Sequence, residues 1–134
     1  MVGAKEVIRG LKDRGYKVVC FSGGFRNGTE PFAQKYGLDA DFSNILHAKD
    51  GVLTGKVGGE MMFGTSKGEM LVKLQRLLGI TPKDTLAAGD GANDLSMFKY
   101  ADTRIAFCAK PVLKETATII IDKKDLREIL QHID

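Results

Sequence analysis

The sequence predicts an α/β fold: a doubly wound, mostly parallel sheet with a β-hairpin added near one edge. Three observations predict it. Short apolar runs at Lys17–Phe21, Thr85–Ala88, Arg104–Phe107 and Thr118–Ile121 alternate with helix-periodic stretches, and strands alternating with helices build parallel sheets. Asp50-Gly51 separates two strand-like arms, Asp41–Lys49 and Val52–Val57, a strong type I′ hairpin signal. Glycines follow the helical stretches at Gly15, Gly37 and Gly79, where a left-handed residue ends a helix.

Taken in order, Ala4, Val7, Ile8 and Leu11 repeat at the spacing of one buried helix face. Lys17–Phe21 is β-branched and aromatic, so it reads as a strand buried on both faces, ended by Ser22-Gly23-Gly24. A helix is expected from about Thr29 to Tyr36, with Thr29 at its N-cap and Pro31 in its first turn. After the hairpin, Gly58 to Gly64 reads as a loop. Ser66-Lys67-Gly68-Glu69 then fits a capping box, and Met70, Leu71, Leu74, Leu77 and Leu78 form the apolar stripe of the helix it starts. Thr81-Pro82 opens a short turn. A helix over Asp94–Tyr100 follows the Thr85–Ala88 strand. Pro111–Glu115 is a short helix, and a last helix spans about Asp125–Gln131, with Leu126, Ile129, Leu130 and Ile133 inward.

The 134 residues suffice for one domain with a real core, so residues 1–134 are expected to form a single domain. A net charge of +3, without a basic block, gives no footprint for nucleic acid. No apolar stretch approaches the ~20 residues of a membrane span. Cys20 and Cys108 lie in apolar runs, which suits buried thiols in a reducing compartment. The residues after Met1 lack the apolar core of a signal peptide, so a cytoplasmic location is expected. His47 stands alone on the hairpin and is given no role.

Three stretches place polar groups after a strand or at a helix start. The first is Leu86-Ala87-Ala88-Gly89-Asp90-Gly91-Ala92-Asn93-Asp94. Two carboxylates, an amide and two glycines after an apolar strand exceed what a helix cap or turn needs. Ligands of open α/β sheets bind at such loops, and Mg²⁺ takes one or two carboxylates plus water and phosphate oxygens. Asp90 is the expected Mg²⁺ ligand, Asn93 a substrate or phosphate contact, and Asp94 a holder of the metal's waters. The second is Ser22-Gly23, whose hydroxyl and backbone N–H groups suit an oxyanion, though Ser-Gly-Gly is common and alone reads rather as a plain turn. The third is Lys67, a cation at a helix start, which phosphate sharing that position would satisfy. By itself, in a chain rich in lysine, it reads rather as a solvated surface lysine. Together the three point to phosphoryl transfer by positioning and electrostatics, for which a carboxylate forming an aspartyl-phosphate is one available nucleophile.

These residues resemble the haloacid dehalogenase superfamily and, within it, the phosphoserine phosphatases. Ser22-Gly23-Gly24-Phe25 looks like that family's second motif and Lys67-Gly68-Glu69 its third. Gly89-Asp90-Gly91-Ala92-Asn93-Asp94-Leu95-Ser96-Met97 looks like the fourth. Ile105–Pro111 and Asp125–Leu130 are also similar, so the resemblance covers essentially the whole chain. It implies a Rossmann-like core and Mg²⁺-dependent hydrolysis of O-phosphoserine to serine and phosphate, the last step of serine biosynthesis. It further implies that Ser22 and Gly23 bind the phosphoryl group, that Lys67 acts catalytically by stabilising its charge, that Asn93 contacts substrate, that Asp90 binds the metal and that Asp94 supports it.

The chain departs from the family in one large respect. The family's opening strand carries Asp-x-Asp-x-Thr, and no such motif occurs here; Asp39-Ala40-Asp41-Phe42-Ser43 comes nearest but follows Ser22 and lacks an apolar strand before it. The family's helical cap is absent too. The expectation is an incomplete core, the C-terminal portion of a longer enzyme, inactive alone and completed by an N-terminal fragment or a second copy. Other readings are a phosphatase or phosphotransferase for another small metabolite, the phosphorylation domain of a cation pump, and a non-catalytic half-domain used for binding or assembly.

Overall fold

The computed structural model describes residues 2–25, 35, 37–49, 52–59 and 66–133, with backbone alone at 22–25, 41–49 and 52–59. The chain divides into two compact units, Ala4–Phe63 and a second made of Met1–Gly3 with Gly64–Asp134. Of the expected helix over Thr29–Tyr36 only Lys35, which is helical, is described; the Asp50-Gly51 turn and residues 60–64 of the expected Gly58–Gly64 loop lie outside the described residues, while Gly58 and Gly59 are paired strand rather than loop.

In the first unit, α1 (Ala4–Asp13) buries Ala4, Val7 and Ile8, the face that the periodicity predicts. It ends where expected. Gly15 is left-handed at φ +88°, and its N–H donates to the Lys12 carbonyl while the Tyr16 N–H reaches back to the Leu11 carbonyl, closing the last turn's orphan acceptors. β1 (Val19–Phe25) pairs in parallel with β2 (Ala40–Lys49), and β2 pairs antiparallel with β3 (Val52–Gly59). Lys49 faces Val52, as a two-residue hairpin connection requires. Two differences from expectation appear. The strand runs through Ser22-Gly23-Gly24 to Phe25, with a register irregularity after Phe21. Val19, Cys20 and Phe21 are half-buried rather than enclosed. Among the described residues β1 stands at the end of the sheet order β1-β2-β3. Asp39 fastens the starts of β1 and β2: its Oδ2 accepts from Val18 N at 2.7 Å, and its own N–H donates to the Val18 carbonyl.

The second unit is built on a three-stranded parallel sheet, β4 (Leu86–Gly89), β5 (Thr103–Phe107) and β6 (Ile119–Ile121), in that order. The central strand is enclosed on both faces. Successive residues Ile105 and Ala106 are both fully buried, as expected where crossover helices cover a parallel sheet. Leu113, Met97, Phe98, Ala101 and Ile129 complete this core. The last turn of α2 (Ser66–Leu78) closes on Gly79, left-handed at φ +67°. The strands thus form two three-stranded sheets, and β4, like β1, ends its sheet.

The inward face of α2 is not the leucine stripe. Ser66, Gly68, Leu71 and Gln75 are buried, whereas Leu77 is 82% exposed. Ser66 is the first helical residue rather than the residue before it. The helix rolls toward Gln75 because that amide finds two acceptors inside, Thr85 Oγ1 at 3.0 Å and the Tyr100 carbonyl at 2.7 Å; a buried amide so bonded carries little penalty. Past β4, a 3₁₀ turn (Ala92–Asp94) runs into α3 (Leu95–Phe98), and Pro111–Lys114 forms α4. The chain ends in a 3₁₀ helix, Leu126–His132, capped by Asp125. Cys108 is exposed, against the expectation of a buried thiol. It lies one residue beyond β5, left-handed at φ 45°, with its N–H still donating to the Ile121 carbonyl of β6.

Candidate functional site

The loop after β4 is shaped by one carboxylate turned back on it. Asp94 is 3% exposed. Its Oδ2 accepts from the N–H groups of Asp90 at 2.9 Å and Gly91 at 3.2 Å. Its Oδ1 accepts from Lys67 Nζ at 2.6 Å. Asp94 therefore does more than cap: its side chain makes no hydrogen bond to the amides of α3 and instead bonds the loop before it. The fold leaves no room for a side chain at Gly89, because a Cβ there would collide with the Asp94 carboxylate. The glycine before Asp90 is thus required by close approach.

Lys67 and Asp94 are withdrawn from water, at 13% and 4% side-chain exposure. A charged pair in that setting is held by geometry and by the further hydrogen bonds of its members, and Asp94 has two. The arrangement consumes the Asp94 oxygens internally and turns the loop's backbone donors away from solvent. Asp90 and Asn93, in contrast, are exposed, and among the described residues neither side chain makes a hydrogen bond or ion pair. Asp90 is also held by its own carbonyl, which accepts from Lys110 N at 3.0 Å. A fixed backbone with a free carboxylate suits a hard cation that takes few protein ligands. No group of three His, Cys, Asp or Glu that could hold a metal occurs among the described residues; what this loop offers a cation is the single exposed carboxylate of Asp90.

The structure thus brings together three sequence-predicted residues, Lys67, Asp90 and Asp94, and sets Asn93 on the same turn. Ser22 and Gly23 fall within β1, and that stretch is described by its backbone alone. Residues that the sequence reading missed are Ser96, whose Oγ accepts from Gly68 N at 3.0 Å, the buried Gln75, and Lys110 through its backbone. Gln75 left a signal: it lies at the helical spacing of Leu71, so a polar residue interrupts an inward face. Asp39, nearest to the missing nucleophile motif, is occupied by Val18 N and lies 3.7 Å from Lys12 Nζ.

A family described as haloacid dehalogenase-like hydrolase matches residues 1–102. The phosphoserine phosphatase of Wolinella succinogenes is 68% identical over 133 residues, covering 99% of this chain and 65% of that protein. That of Methanocaldococcus jannaschii is 55% identical over 131 residues, covering 98% of this chain and 62% of that protein. Among solved structures, a substrate-bound phosphoserine phosphatase complex superimposes at TM-score 0.94 and 54% identity, covering 99% of this chain and 63% of that one. A phospho-aspartyl intermediate analogue of phosphoserine phosphatase gives TM-score 0.94 at 54% identity, covering 99% and 64%. The chain spans 62% to 65% of the length of these relatives. With the buried Lys67–Asp94 pair, the free Asp90 and a family match over 102 of 134 residues, the chain belongs to the haloacid dehalogenase-like hydrolases.

Proposed function

We propose that this chain is the phosphate- and metal-handling portion of a phosphatase that hydrolyses O-phosphoserine to serine and phosphate, the closing step of serine biosynthesis in the cytoplasm. The observation that carries this reading is the Lys67–Asp94–Asp90 arrangement, a 2.6 Å ion pair whose Asp94 also accepts from the N–H of Asp90, itself exposed. Relatives that span it are named phosphoserine phosphatases, and one was solved with substrate bound. Mg²⁺, once bound, would neutralise charge on the phosphoryl oxygens. Asp90 would hold it, and Asp94 would fix the loop on which Asp90 stands. Lys67 would place a positive charge near the phosphoryl group, Ser22 with the Gly23 N–H would orient its oxygens, and Asn93 would contact substrate. Such a site works by stabilising charge as it develops.

The attacking group lies elsewhere. A relative solved as a phospho-aspartyl intermediate analogue supports a route in two displacements. A carboxylate oxygen bonds to phosphorus as the bond to the serine oxygen breaks, and that oxygen takes a proton. Water then attacks phosphorus, releasing phosphate and restoring the carboxylate. This sequence contains no Asp-x-Asp-x-Thr motif, so the carboxylate comes from a segment outside these residues. Among the described residues β4 ends its sheet, and a strand bearing that motif would add to such an edge. Phosphate release from O-phosphoserine, measured with this chain plus a segment carrying the motif after an apolar strand, tests the proposal. Turnover that requires both partners and Mg²⁺ and is lost in Asp90→Asn is expected. Turnover insensitive to Asp90 would overturn the assignment of the metal ligand.

A further inference from the structure

We infer that Ser96 and Gln75 are positioning residues that hold α2 at a fixed register and thereby keep Lys67 on Asp94. Lys67 is the second residue of its helix, where the first backbone N–H groups lack helical partners. One of them, Gly68 N–H, donates to Ser96 Oγ at 3.0 Å. Ser96 thus caps a helix that starts 30 residues earlier, from the first turn of α3, two residues beyond Asp94. The approach is close enough to exclude any side chain at Gly68: a Cβ there would lie 2.5 Å from the Ser96 carbonyl oxygen and 2.8 Å from its carbonyl carbon. Backbone cannot swing aside as a side-chain tip can, so this contact fixes the distance between the start of α2 and the loop carrying Asp94.

A single contact leaves a helix free to pivot. The second point is Gln75, seven residues and about 10 Å further along the axis at 1.5 Å per residue. Its amide donates to Thr85 Oγ1 at 3.0 Å and to the Tyr100 carbonyl at 2.7 Å. Thr85 immediately precedes β4 and in turn donates to the Thr81 carbonyl at 3.0 Å; Tyr100 follows α3. Gln75 therefore ties α2 to both elements that flank the Gly89–Asp94 loop. Rotation or axial slip of α2 would break one pin or the other. Lys67 cannot supply this constraint itself, because its long side chain has several rotatable bonds and a single point charge at its end. The inference rests on Lys67 being the phosphate-facing cation proposed above, but its test reads the position of Lys67 without any activity.

Limited acetylation of the folded chain, read lysine by lysine by peptide mass spectrometry, reports the access of each ammonium group. Lys83, exposed on the turn before β4, is the internal reference. Lys67 is expected to label about tenfold more slowly than Lys83 in the unaltered chain, since reaction needs local opening. Ser96→Ala, which loses one hydrogen bond, is expected to raise the Lys67-to-Lys83 ratio about fivefold, and Gln75→Met, which loses two, by at least as much. Ser96→Thr, which keeps the hydroxyl, leaves the ratio at its starting value. A lower unfolding temperature with an unchanged ratio in a folded Ser96→Ala or Gln75→Met chain would overturn the inference, because it marks a purely structural role. Hydrogen exchange of the unaltered chain decides the matter even if both variants fail to fold. Gly68 N–H is expected to be protected, and exchange as fast as that of an unbonded first-turn amide would equally overturn it.

Discussion

Lys67 Nζ and Asp94 Oδ1 lie 2.6 Å apart, and the second Asp94 oxygen holds the N–H groups of Asp90 and Gly91. One carboxylate thereby couples a helix start to the loop that carries the proposed metal ligand. Asp94→Ala would take this partner from a largely buried ammonium and from two part-buried amides. Removing one member of a buried pair costs about 3–5 kcal/mol, so urea denaturation should show a loss of that size. A loss under about 0.5 kcal/mol, as at an ordinary surface position, would mean that the pair is solvated.

Asp90→Asn should behave in the opposite way. Its side chain is exposed and takes no partner among the described residues, so stability is expected to change by less than about 0.5 kcal/mol. Mg²⁺ affinity, followed by calorimetry with inorganic phosphate present, is expected to fall at least about tenfold, because the substitution removes the carboxylate charge that a hard cation requires. Unchanged affinity would move the metal to other residues.

Gly89→Ala and Gly68→Ala separate two kinds of close approach. At Gly89 the new methyl meets the Asp94 side chain, and at Gly68 it meets Ser96 backbone. Overpacking costs about 1–3 kcal/mol, and Gly68→Ala should sit at the higher end because backbone yields less. Thermal unfolding of the two variants checks the order.

Asp125 carries the clearest pH dependence. Hydrogen bonds from the Arg127 side chain, then from its backbone N–H, hold the Asp125 carboxyl down at about 2 from an ordinary 3.8. A folded value below the unfolded one means stability that is complete above 3.8 and lost as pH falls toward 2. Asp125→Asn should therefore flatten the fall in unfolding temperature between pH 4 and pH 2 relative to the unaltered chain. Parallel curves for the two chains would remove Asp125 from the acid response.

The sequence was most informative where local chemistry and fold agree. The α1 face of Ala4, Val7 and Ile8, the stops at Gly15 and Gly79, and the hairpin arms emerge as read, because periodicity and left-handed glycines act locally. Asp90, Asp94 and Lys67 were also legible as residue types in a pattern. Their partnership was not: Lys67 and Asp94 are 27 residues apart, and only tertiary packing sets a lysine on that carboxylate rather than in solvent. The same reason hid Gln75 and Ser96. The apolar stripe through Leu77 suggested one roll of α2, and two buried hydrogen bonds from Gln75 selected another. Cys108 read as buried because its neighbours are apolar, yet it sits just after the strand ends.

The central claim is that these residues handle phosphate and metal but lack the attacking group. Single-turnover release of phosphate from O-phosphoserine by the chain alone, with Mg²⁺ and excess protein, tests it most directly, with Lys67→Ala as the baseline. The account predicts that both proteins release phosphate no faster than buffer. Release by the unaltered chain that disappears in Lys67→Ala would contradict it, by placing the nucleophile within these residues.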